Sequence, residues 1–100
     1  MAIAVQIVPS ALDELNGMKA YYRRRIADAV DEQLSHQPTV ATRNRKLLPA
    51  SDASFAFEPP LWELRVGDFR VFHDVDEEGQ TVSVRAIRDK PPHATSEEVL

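Results

Sequence analysis

Residues 61–75 read LWELRVGDFRVFHDV. Apolar and polar residues alternate along this stretch, and the pattern breaks at Gly67-Asp68. Period-two alternation marks half-buried strands, and a glycine dipeptide between two such runs marks a hairpin. Glycine at the first central position suits a type II′ turn. The strands span 61–66 and 69–76. A two-residue loop then sets Val66 opposite Phe69, Arg65 opposite Arg70 and Leu64 opposite Val71. Directly opposed side chains have β-carbons about 5 Å apart, and like charges there repel. The arginine pair therefore calls for a neutralising carboxylate or a visiting anion.

Downstream, DEEGQ makes the next turn, and Val82, Val84 and Ala86 alternate with Ser83, Arg85 and Ile87. If Glu77–Gln80 form a four-residue loop, Val75 faces Val82 and Phe72 faces Arg85. Arg85 then shares a face with Arg65 and Arg70. Upstream, Ile3, Val5 and Ile7 alternate with small or polar residues, which predicts a first strand ended by Pro9. Ser10 fits an N-cap, with Asp13 three residues on. Leu12 and Leu15 begin a helical stripe over 10–16, and Asn16-Gly17 breaks it. Met18, Tyr22, Ile26, Val30 and Leu34 predict a longer helix over 18–36, stopped by Pro38. Residues 37–60 carry four of the seven prolines and read as a long connection with one short strand near 46–48. Connections of this length are usually functional or mobile. Residues 89–100, DKPPHATSEEVL, read as irregular at first. The sum is one α+β domain over residues 1–100: an N-terminal strand, two helices, then an antiparallel meander. The helices pack on one sheet face, and the other face carries Arg65, Arg70 and Arg85.

Composition limits the chemistry. There is no cysteine among the 100 residues, which removes disulfide scaffolds and thiolate metal sites and fits a reducing cytoplasm. The start, MAIAVQIVPS, lacks a basic n-region and reads as a strand rather than a signal. No run approaches a membrane span. Net charge is −4, from 12 basic and 16 acidic residues, which argues against nucleic-acid binding by overall charge. Local basic clusters can still hold an anion. The three histidines lack metal-ligand spacing, and no metal or cofactor is expected.

Arg65, Arg70 and Arg85 form the candidate site. Arginine keeps its charge and grips phosphate bidentately, and such a cluster suits a phosphate whose charge grows in a transition state. A general base must come from elsewhere. Lys90, its pKa depressed by nearby arginines, and His93, with an ordinary value near 6.5, are the two candidates. Arg43, Arg45 and Lys46 on the connection could grip further phosphates or a partner. Arg23–Arg25 read as the wet face of the helix, His73 as a half-buried packing residue, and Trp62 and Leu64 as core.

On PTVATRNRKLL followed by WELRVGDFRVFHDVDEEGQTVSVRAI, nearly the whole chain resembles toxins of the RelE/ParE superfamily from bacterial type II toxin–antitoxin pairs. The order of elements matches as well. The resemblance implies a small cytoplasmic toxin that arrests growth and is held inactive by a cognate antitoxin. RelE-like members cleave ribosome-bound mRNA without a metal, whereas ParE-like members inhibit DNA gyrase. By resemblance Arg70 matches the best-kept cationic position, Arg65 a common second one, and Lys90 falls near where the family often carries a basic residue on its last strand. An mRNA endonuclease gripping RNA through Arg43, Arg45 and Lys46 is the leading expectation. A gyrase inhibitor without enzymatic activity, or a member that only binds its antitoxin, stands beside it. Glu63 lies where RelE-like nucleases carry lysines, nothing aromatic follows Phe72, and the pI is about 5.3. An antitoxin segment would dock as a helix or an added strand, with strand one or the last strand offering an edge and the helices a groove.

Overall fold

The computed structural model describes residues 3–49 and 52–100. The first two residues of the expected leading strand and Ala50-Ser51 of the connection lie outside that range. The elements are β1 (Ala4–Ile7), α1 (Pro9–Asn16), α2 (Ala20–Leu34), β2 (Arg45–Leu48), β3 (Leu61–Val66), β4 (Phe69–Asp76), β5 (Thr81–Asp89) and a 3₁₀ turn (Ser96–Val99). No helix is long and apolar enough to cross a membrane.

The five strands lie in the order β1-β5-β4-β3-β2. β1 runs parallel to β5, and every other pair is antiparallel. The last strand is therefore interior, not an edge as expected; β1 and β2 are the edges. The β3–β4 register is the expected one, with Arg65 opposite Arg70 and Val66 opposite Phe69. Positive φ at Gly67 (59°) supplies the turn that a side chain would strain.

α1 begins at Pro9, one residue before the expected cap. Val8 stands at the N-cap without a side-chain bond, and Pro9 occupies the first turn, where its missing N–H costs nothing. Ser10 and Asp13 thus form no capping box. The helical stripes bury Ala11 and Leu15 from α1 and Ile26, Val30 and Leu34 from α2. They meet Leu64, Val66, Val71, Val82, Val84 and Ile87 on one sheet face. Full burial of such a side chain contributes about 1.5–3 kcal/mol.

The opposite face is not open. Leu48, Leu61, Phe72 and Ala86 form a second small core there, covered by Phe55 and Phe57 from the connection and by Val99 and Leu100. Phe55 stacks on Phe72 at 5.8 Å between ring centroids. Ser54 N–H donates to the Leu100 carbonyl at 2.8 Å, joining the two covering segments.

Candidate functional site

β4 and β5 do not pair as expected near the candidate arginines. Val75 does face Val82, but Phe72 faces Ala86 and His73 faces Val84, so β5 carries one extra residue at Arg85. A bulge of this kind leaves one residue unpaired and re-aims its neighbours. Arg85 consequently misses the arginine row. Its Nε and Nη2 donate to Asp74 at 2.8 and 3.3 Å, and the same Asp74 accepts Glu58 N–H at 2.7 Å. Beyond the bulge, Arg88 stands directly across from Arg70. The row that spans β3, β4 and β5 is Arg65–Arg70–Arg88.

Arg70, on the sheet face away from the helices, is buried at 6% exposure. Its Nη1 donates to the Gly67 and Phe69 carbonyls at 2.9 and 2.8 Å. Its Nε lies 3.3 Å from Glu63 Oε1. Desolvation, and then the Arg65 charge, pull its pKa below the usual guanidinium value, while Glu63 and Asp68 pull it back up. Glu63, itself 2% exposed, also takes Lys46 Nζ at 3.4 Å and accepts Ser96 Oγ at 2.7 Å. The carboxylate that the arginine pair calls for is therefore Glu63, two residues along β3 on the same face.

Arg88 is also answered from within. Its Nε lies 2.8 Å from Glu14 Oε2, its Nη2 donates to Ser54 Oγ at 3.3 Å, and its guanidinium sits 5.6 Å from the Phe55 ring centroid. Glu14 Oε1 meanwhile accepts Ile87 N–H at 3.2 Å, which satisfies β5 past the end of β1.

The other expected residues separate. Arg45 turns inward: Nε donates to the Val40 carbonyl at 2.8 Å and Nη1 to the Gln33 carbonyl. It ties off the last turn of α2, whose carbonyls lack intrahelical partners, and desolvation lowers its pKa. With 4% exposure it has no free edge for RNA. Lys46 keeps its side chain largely exposed but is paired with Glu63. Arg43 is exposed on the loop. His93 is exposed in the segment after β5, and Lys90 is half-buried, its N–H donating to the Asp68 carbonyl at 2.8 Å. His73 is fully buried rather than half-buried, because β4 is interior and its helix-side residues are covered.

Arg88 was missed because the register was extended without a bulge. The signal was present: Ala86 and Ile87 place two apolar residues side by side where strict alternation demands a polar one. Arg25 was missed as wet helix surface. Its guanidinium lies over the β3–β4 turn, so close that a β-carbon on Gly67 would sit 3.0–3.2 Å from it. No group of three His, Asp or Glu able to hold a metal occurs among the described residues.

A family model described as the ParE toxin of type II toxin–antitoxin system, parDE, matches residues 5–90. A comparison with curated proteins gives no match. Solved structures share the fold. The archaeal RelE–RelB complex from Pyrococcus horikoshii OT3 contains a chain 18% identical, with a TM-score of 0.70, covering 92% of this chain and 99% of that one. The RelBE2 toxin–antitoxin complex from Mycobacterium tuberculosis gives 19% identity, a TM-score of 0.72 and 90% and 93% coverage. The isolated E. coli RelE toxin gives 16%, 0.68, and 90% and 86%.

Proposed function

This chain belongs to the family of ParE toxins of type II toxin–antitoxin systems, and from that premise we propose that it acts by binding a protein target, with DNA gyrase the target implied by the family resemblance, rather than by cutting RNA. One observation carries this reading. The arginines that would steady a scissile phosphate are neutralised inside the chain: Arg70 by Glu63 and two backbone carbonyls, Arg85 by Asp74. A transition-state clamp works through donors left free for the developing charge. Lys90 engages the turn through its backbone, and His93 lies out in the following segment.

The partner that keeps the toxin silent is a cognate antitoxin. The Pyrococcus and Mycobacterium relatives were solved as complexes with theirs, which supports the same pairing here, in the cytoplasm.

A second reading is favoured by the Arg65–Arg70–Arg88 row. In it the chain cleaves ribosome-bound mRNA: the row steadies the phosphate, Lys90 or His93 removes the 2′-hydroxyl proton, and Arg43 and Lys46 grip flanking phosphates. Two assays on the purified chain separate the readings. The protein-target reading expects inhibited gyrase supercoiling and no new mRNA 5′ ends in an in-vitro translation reaction. New 5′ ends with normal supercoiling would replace it with the nuclease reading. No effect in either assay would leave a chain that only binds its antitoxin.

A further inference from the structure

The guanidinium groups of Arg70 and Arg88 face each other across β4 and β5, and neither has filled its donors. Arginine donates from Nε and from both Nη atoms. In Arg70, Nη1 is engaged by the Gly67 and Phe69 carbonyls. Its Nε reaches Glu63 Oε1 only at 3.3 Å, beyond the roughly 2.7–2.9 Å of a charge-assisted hydrogen bond. Its Nη2 donates to no acceptor among the described residues. Arg88 makes one hydrogen bond, from Nη2 to Ser54 Oγ at 3.3 Å. Its Nε is buried 2.8 Å from Glu14 Oε2, but off the line that a hydrogen bond requires. Buried donors are nearly always satisfied. Unfilled N–H groups on facing cations accept only an oxygen acceptor, and an oxyanion has oxygens enough to span both. Charge alone does not choose this occupant, since Glu63, Asp68 and Glu14 stand among Lys46, Arg65, Arg70 and Arg88; the unfilled donors do.

A cover lies over this face. Phe55, Phe57, Val99 and Leu100 seat on Leu48, Leu61, Phe72 and Ala86, and Ser54 N–H to the Leu100 carbonyl joins the two halves. Each half reaches one of the arginines. Ser54 and the Phe55 ring engage Arg88. Ser96 Oγ donates to Glu63 Oε1 at 2.7 Å, the same oxygen that faces Arg70 Nε. Among the described residues that is the shortest polar contact of Glu63; Arg70 Nε stands at 3.3 Å and Lys46 Nζ at 3.4 Å. The Ser96 hydroxyl, more than either cation, fixes the carboxylate. The cover also keeps the pair dry. Opposite charges attract roughly fourfold more strongly in a protein-like medium than in bulk water, and an exposed pair holds its partners weakly. Residues 96–100 form no strand or α-helix, only a 3₁₀ turn, so little beyond these contacts holds them down.

We propose that residues 96–100 are an intramolecular latch over a latent oxyanion site between Arg70 and Arg88. With the latch down, Ser96 pins Glu63 beside Arg70 in a dry setting, and the site is shut. With the latch lifted, Glu63 loses its hydroxyl partner and enters water. Its hold on Arg70 weakens, and the Nε–Nη2 edge of Arg70 becomes free for an anion. Exposed Arg65 adds positive charge from across the hairpin. Arg70 stays aimed, because the Gly67 and Phe69 carbonyls still hold Nη1. The inference rests on the arginine row of the second reading and adds its control: the row is silent because it is covered, not because its residues are missing.

Pyrophosphate binding, followed by titration calorimetry, tests the latch on the 100-residue chain and on one ending at Thr95. The shortened chain is expected to bind at least about tenfold more tightly, and Arg88→Gln within it should remove the gain. Equal affinity for the two chains, or a gain that survives Arg88→Gln, overturns the proposal. A second measurement needs no truncation. A ligand that binds only the open form shifts the population toward it. Excess pyrophosphate should therefore speed amide exchange at Ser54, whose N–H donates to the Leu100 carbonyl, while α2 keeps its protection. Unchanged or slower exchange at Ser54 overturns the latch even where the shortened chain fails to fold. Dodecauridylate titrated alongside identifies the carrier of the phosphate. A larger gain for the oligonucleotide supports a nucleic-acid phosphate under the latch, a gain for pyrophosphate alone supports a free anion, and a gain for neither overturns the proposal. The mRNA assay stays separate. A shortened chain that gains pyrophosphate but makes no new mRNA 5′ ends keeps the latch and removes the nuclease reading.

Discussion

Arg70 shows how far one residue's role depends on a neighbour that the sequence alone leaves unassigned. On an open face its removal would relieve repulsion from Arg65 and leave folding unchanged. Paired with Glu63 at 2% exposure, its removal leaves a buried carboxylate short of its main partner. Breaking a buried pair from one side typically costs about 3–5 kcal/mol. We expect Arg70→Ala to lose about 3 kcal/mol in urea unfolding, and Glu63→Leu/Arg70→Leu to lose less than the single change. An unaltered urea midpoint for Arg70→Ala would show that the pair contributes nothing. His73 gives a second expectation. Its pKa is pushed down to about 4, first by desolvation and then by Arg45, against upward pulls from the Val71 carbonyl and Asp74. Unfolded, it titrates near 6.5. Between those values the unfolded chain binds the extra proton, so this contribution is intact above about pH 6.5 and is lost as pH falls through 4. The loss amounts to about 3 kcal/mol. Unfolding midpoints at pH 7 and 4.5 should diverge in the parent, and His73→Phe should narrow the gap.

Elements that announce themselves by period were legible, and elements fixed by partners were not. The alternation in 61–76 together with Gly67-Asp68 determined both strands, the turn and the register of the β3–β4 pair. The stripe from Met18 to Leu34 located α2 to within two residues of each end. Arg85 failed because a bulge is a property of a strand pair, and one inserted residue exchanges every later neighbour. Arg45 failed because a basic residue on a proline-rich connection looks solvated until the open carbonyls of α2 are seen beside it. The hairpin also yields its own test. Gly67 has φ of 59° and the Arg25 guanidinium against it. Gly67→Ala should therefore cost roughly 1 kcal/mol or more, a fall of about 4–8 °C in melting temperature for a domain of this size. Arg25→Ala should recover only the part that comes from crowding.

At the scale of the molecule, the sheet carries two cores of unequal standing. The helix-side core draws on both helices and four strands. The second is roofed by residues 55–57 and 99–100, which belong to no strand or α-helix and are fastened at their margins by hydrogen bonds of Ser54 to Leu100 and Arg88, Glu58 to Asp74 and Ser96 to Glu63. Such a thinly supported region opens before the rest. Val99→Asp should speed amide exchange in 54–58 and 96–100 while leaving α2 and the β5 interior protected; uniform acceleration would mean that the two cores melt as one. The pairing of β1 with β5 has a further consequence, one of timing. Gln6 reaches Ser83 across 77 positions, and Ile87 reaches Glu14 across 73. Contacts so distant in sequence are slow to form, and during synthesis they must wait until β5 has left the ribosome. Until then α1 and α2 have no complete sheet on which to lie. A growing chain of this protein thus lacks its assembled sheet until β5 has emerged, and the packing of α1 and α2 against β5 comes into being only then.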